Sequence, residues 1–182
     1  IDIDINSSDG IGESDRIQFP ARAHFHKNWG FNSPGTYRLG FRANGILANS
    51  GLPTESEEYF INFEVNVLSK GEVDLEIVYE DGEWEAEILA HVHGEDDHGE
   101  DDHGDEGHDG VAYPVNEVAI RVDSRSATVV PNDPAFGFLG HPGELFYELS
   151  QHEEEGLLYL GIASDEVEAG VFVGDDVQLN LK

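Results

Sequence analysis

The sequence holds 182 residues, with 39 aspartates and glutamates against 9 lysines and arginines, for a formal net charge of -30. Such an excess repels nucleic acid and anionic membrane surfaces and attracts cations. Cysteine and methionine are both absent, which excludes a disulfide framework and a thiolate zinc site.

The length suits one domain with a real core, expected to span residues 1–182. No stretch approaches the ~20 apolar residues that cross a bilayer. With no signal peptide at Ile1 the sequence reads as a trimmed chain. Lack of cysteine, strong acidity and many Asn, Gly and Thr turns fit an exported bacterial protein, expected in the periplasm, at the cell surface or outside the cell.

The opening run, IDIDINSSDGIGESD, predicts a short edge strand and a loop. Its carboxylates make calcium a minor candidate, since the order of an EF-hand loop is not met. Alternation then places Ile17, Phe19, Ala21, Ala23 and Phe25 on one face of a strand, with Gln18, Arg22, His24 and His26 on the other. The Asn32-Ser33-Pro34-Gly35 turn is expected to close a hairpin with a strand that buries Tyr37, Leu39, Phe41 and Ala43.

The run 58–69 alternates with Tyr59, Ile61, Phe63, Val65 and Val67 inward, and 72–80 with Val73, Leu75, Ile77 and Tyr79 inward. Asp81-Gly82 is a strong two-residue hairpin signal. The returning strand buries Trp84, Ala86, Ile88, Ala90 and Val92, and leaves Glu85, Glu87, Leu89, His91 and His93 opposite. Residues 94–110 form a low-complexity acidic loop, an insertion that costs little because loop entropy grows slowly with length. Strands resume over 111–122 and 126–130, and again after the Pro131-Asn132-Asp133-Pro134 turn; 164–170 supplies one helical turn at most, and 171–182 closes the chain. About ten short strands and no normal helix predict an all-β fold, an antiparallel β-sandwich with a jelly roll among its forms.

Histidine is the residue that needs chemistry. His93, His98, His103 and His108 recur at five-residue steps among Gly, Asp and Glu, a compositional signal for metal binding. His24 and His26 share one strand face, and His91 and His93 repeat the pattern; residues i and i+2 of a strand lie ~7 Å apart, so two such pairs can converge on an ion. The expected metal ligands are therefore His24, His26, His91 and His93 in an ordered site. His98, His103 and His108 form a collector loop, with His141 and His152 in reserve. Histidine ligands without cysteine permit zinc, copper(II) or nickel; two His-x-His pairs could supply the three or four ligands that zinc takes at ~2.0–2.1 Å, whereas raw affinity would favour copper. No nucleophile elbow, phosphate loop or catalytic triad is present, so no catalytic residue is assigned.

The segment HFHKNWGFNSPGTYRLGFRA resembles the bacterial surface-anchored domain of the choice-of-anchor M type, through His24, His26, Trp29, Phe31, Pro34, Gly35 and Tyr37. Gly140, Pro142, Gly143, Gln151, Gly156, Leu157, Gly161 and Gly170 are similar to its second signature. The resemblance implies a β-rich exported domain associated with metal ABC transporters. The sequence departs from the family pattern in two ways: a wall-sorting signal or membrane anchor is not expected after Lys182, and the 94–110 tract reads as an insertion. That family context is what favours zinc among the permitted ions, and the expected function is zinc capture, buffering or delivery outside the cytoplasm. The alternatives are an adhesion or structural module without a functional metal and, third, a zinc-dependent lyase or hydrolase.

Overall fold

A computed structural model describes residues 4–12, 14–67, 71–91 and 110–182. The described chain is all-β, with fourteen strands and only short 3-10 turns beside them. Six strands make the largest sheet: β1 (Arg16–Pro20), β4 (Gly35–Ile46), β5 (Pro53–Glu55), β6 (Tyr59–Val67), β10 (Ala119–Asp123) and β14 (Asp176–Leu181), in the order β1-β14-β4-β6-β10 with β5 beside β4. Five make the second: β2 (His24–His26), β7 (Gly71–Glu80), β8 (Glu83–His91), β9 (Gly110–Pro114) and β13 (Leu158–Ala163), in the order β2-β13-β7-β8-β9. A three-stranded sheet, β11-β12-β3, is built from β3 (Trp29–Phe31), β11 (Ala127–Val129) and β12 (Leu145–Leu149).

The alternating positions of these strands fill one hydrophobic core. Phe41, Ile61, Phe63, Val65 and Leu179 come from the six-stranded sheet, and Leu75, Ile77, Ile88, Leu160 and Ile162 meet them from the five-stranded one. Sheet faces packed on each other in this way make a β-sandwich. The expected alternation is observed over 59–65 and 83–88, whereas Val67 and Ala90 are only half-buried and Val92 lies outside the described residues; Asp81-Gly82 forms the two-residue turn between β7 and β8 with both φ angles positive.

Several expectations need correction. The strand predicted across 17–26 is broken. Pro20 ends β1 without a donor, Arg22 takes a left-handed φ of 60°, and β2 continues in the other sheet. Ser164 fastens this crossing: its hydroxyl meets the Ala23 amide and the Pro20 carbonyl, each at 3.1 Å. The hairpin predicted at 32–35 is not a hairpin, because β3 pairs with β12 whereas β4 pairs with β6 and β14.

The run 111–122 likewise divides at Pro114 into β9 and β10, which lie in different sheets. Residues 164–170 hold turns, and the 3-10 turn falls at Val173–Asp175. Not every pairing is antiparallel: β10 runs parallel to β6, and β13 parallel to β7. The second of these makes β7 an interior strand whose outward face is also covered, with Asp74, Glu76 and Val78 buried.

Candidate metal centre

Register alone brings the chemistry together. Side chains two apart on a strand share a face, and neighbouring strands lie about 4.8 Å apart. On the outer face of the five-stranded sheet, β2 sets His26 against Gly161 of β13 and His24 against Ala163. Strand β13 in turn sets Tyr159 against Glu72 of β7 and Gly161 against Asp74, and β7 sets Glu72 against His91 of β8. Four strands thus contribute to one patch, through His24, His26, Tyr159, Gly161, Glu72, Asp74 and His91.

Asp74 lies at its centre. Its side chain is 1 % exposed, and its two oxygens face two imidazoles: His24 Nε2 stands 3.1 Å from Oδ1 and His91 Nε2 stands 2.6 Å from Oδ2. Both rings therefore present Nε2–H to the carboxylate as donors. Gly161 makes this possible, since a Cβ there would collide with Asp74 Oδ1 and stand 2.8 Å from His24 Nε2. The empty side-chain position is where the carboxylate and the ring meet.

The electrostatics follow from burial and these hydrogen bonds. Burial works to raise the Asp74 pKa, but the His24 and His91 hydrogen bonds outweigh it and hold the carboxyl below its ordinary value of 3.8. The hydrogen bond to Asp74 raises His24 above 6.5 against the opposing effect of burial, helped by the charges of Asp74, Asp165 and Glu72. Tyr159 is pushed upward by burial, by its hydrogen bond with Glu72, and by the charges of Glu72, Glu153 and Asp74. The phenol is thus held as a neutral donor to Glu72. The His26 ring packs between its neighbours, with centroids 5.1 Å from His24 and 5.2 Å from Tyr159.

Two overlapping groups have ligand geometry. His24, His26 and Glu72 each offer one donor atom within 4.8 Å of the others, and so do Glu72, Asp74 and His91. His26 Nδ1 is buried without a hydrogen-bond partner, a ring nitrogen whose desolvation nothing offsets among the described residues. Imidazole and carboxylate are zinc ligands, and His26, which carries the orphaned nitrogen, shares its group with the Glu72 carboxylate.

The predicted ligands distribute unevenly over this structure. His24 and His26 fall in one group and His91 in the other, with His24 and His91 both bonded to Asp74. His93, His98, His103 and His108 lie outside the described residues. His141 sits exposed in the connection between β11 and β12, its amide donating to Glu144 Oε2, and exposed His152 lies beside Gln151; neither joins a group of ligands.

The opening loop is held by its own bonds. Asp15 accepts from the Asn6 and Gly12 amides and Asp4 pairs with Lys27, and neither carboxylate joins a described group that calcium would need. Sequence reasoning missed Glu72 and Asp74. The signal for Glu72 was present in the two-residue turn, because counting back from Asp81-Gly82 places it opposite His91. No family model, curated protein or solved structure matches the chain.

Proposed function

We propose that the outer face of the five-stranded sheet is a zinc-binding site formed by His24, His26, Glu72, Asp74 and His91. The observation that carries this reading is the gathering of five ligand-type side chains from β2, β7 and β8 into two groups within 4.8 Å, around a glycine that leaves room for them. Each group supplies three ligands, one short of the four zinc takes. An ion held in this way keeps a position for water or an exchanging ligand, which suits capture, buffering and delivery rather than a closed structural site. Copper(II) would bind such nitrogens more tightly, so zinc occupancy depends on which metal is supplied.

The acidic tract belongs to the same reading. The two described residues that flank it in the sequence, His91 and Gly110, are cross-strand partners, and His91 is one of the site's ligands. Its His98, His103 and His108, set among carboxylates, would concentrate divalent ions there. Export and transfer to a metal ABC transporter extend the proposal, supported by the choice-of-anchor M resemblance and by the acidic composition. No catalytic role is assigned to any of these residues.

A structural module is the second reading, favoured by one observation: Asp74, His24 and His91 already satisfy one another without an ion. Zinc titration by calorimetry separates the two. The full chain, freed of metal by a chelator, is compared with the His24→Ala/His91→Ala variant. Saturable binding that the double substitution weakens at least tenfold supports the proposal. Absence of saturable binding in the parent chain rejects it in favour of the structural module.

A further inference from the structure

We infer that the site takes two divalent ions bridged by the Glu72 carboxylate, one held by His24 and His26 and the other by Asp74 and His91. The inference rests on the zinc-binding reading above and adds its stoichiometry and the role of one residue.

The geometry of the donors supplies the argument. Ligands around one tetrahedral zinc at ~2.0–2.1 Å stand about 3.4 Å from one another. Atoms within 4.8 Å of one another reach that spacing by small side-chain movements. The five donors do not form one such group among the described residues; they form two, and Glu72 is common to both. A carboxylate has two oxygens and about four lone-pair directions, enough to accept the Tyr159 hydrogen bond and still serve two ions. Dinuclear sites place their ions about 3.5–4 Å apart, the separation a bridging carboxylate sets.

Charge points the same way. Glu72, Asp74 and Glu76 alternate along the outer face of β7, and the last two are buried. Two dications beside the Glu72 and Asp74 carboxylates offset more of their charge than one ion can. His26, whose Nδ1 is buried without a hydrogen-bond partner among the described residues, belongs to the group with His24 and Glu72, while Asp74, which bonds both His24 and His91, belongs to the other.

The test uses the full chain with His93→Asn, His98→Asn, His103→Asn and His108→Asn, which removes the imidazoles of the tract. Equilibrium dialysis against micromolar free zinc followed by elemental analysis is expected to give two ions per chain. His26→Ala should remove one ion and Asp74→Asn the other, whereas Glu72→Gln should weaken both at least tenfold. Cobalt(II) in the same chain should show magnetic coupling between two ions, a readout that does not depend on how the variants fold. One ion per chain, or two without coupling, overturns the bridged pair and leaves the zinc-binding reading intact. No bound ion overturns both.

Discussion

Replacing Asp74 by Asn keeps the volume of the side chain and removes its charge. Two Nε2–H donors now converge on a carboxylate that is 1 % exposed. Asparagine offers one oxygen to one of them and turns an amide toward the other, so one ring must change tautomer or lose its bond. A hydrogen bond to a charged group contributes roughly 1.5–3 kcal/mol, and breaking a buried pair costs about 3–5 kcal/mol. Because one acceptor survives, a loss of about 2–3 kcal/mol is expected, and at roughly 2–4 °C per kcal/mol for a chain of this size the melting temperature should fall by about 4–12 °C.

The loss depends on pH. His24 is raised above 6.5 in the fold, so its contribution is complete below 6.5 and fades as pH rises through the raised value. Asp74 is lowered beneath 3.8, so its contribution is complete above 3.8 and fades as pH falls through the lowered value. Between these limits both are present. Thermal unfolding of the parent and the variant in chelator at pH 5.5 and 8.5 should therefore show the larger gap at pH 5.5. A gap that is larger at pH 8.5, or no gap at either pH, refutes the assignment of Asp74 as the charged partner of His24.

Gly161→Ala should destabilise by about 1–3 kcal/mol through overpacking and should also abolish zinc binding, because the new methyl occupies the place of the Asp74 carboxylate. Gly45→Ala is the control: its Cβ would stand 2.5 Å from the Phe172 ring in the core, so the melting temperature should fall while calorimetric zinc affinity stays unchanged. Tyr159→Phe keeps the ring against His26 and removes the donor to Glu72; zinc affinity should drop about 10–100-fold, as for other groups that orient a ligand, with little change in fold by circular dichroism. Zinc affinity followed by titration at several pH values should decline on acidification, and the decline should begin above pH 6.5, because protons compete for a His24 whose pKa is raised.

Local patterns in the sequence were sufficient for most of the strands. Period-2 alternation defined 59–67 and 83–90, and the Asp81-Gly82 turn fixed the pairing of β7 with β8. The imidazoles of His24, His26 and His91 were legible as a polar face for the same reason. Their carboxylate partners were not. Glu72 and Asp74 look like ordinary outward acids of an amphipathic strand, and only the cover provided by β13 changes that.

That cover depends on pairings between distant parts of the chain, Leu158–Ala163 with Gly71–Glu80 and with His24–His26, which no short-range signal announces. Gly161 was visible as part of a motif, but its physical purpose depends on which side chains stand beside it. The departure of the chain at Arg22 was hidden for another reason. A left-handed backbone at arginine has no compositional mark, and it is Ser164, far along the sequence, that fastens the turn.

The most direct test of a metal centre on this sheet is an anomalous difference map at the zinc edge, from crystals of the full chain grown with zinc. The account predicts density between β2 and the β7-β8 hairpin, within coordination distance of His24, His26, Glu72, Asp74 and His91. A map with no peak on that face, or with peaks only at His141 and His152, would contradict it.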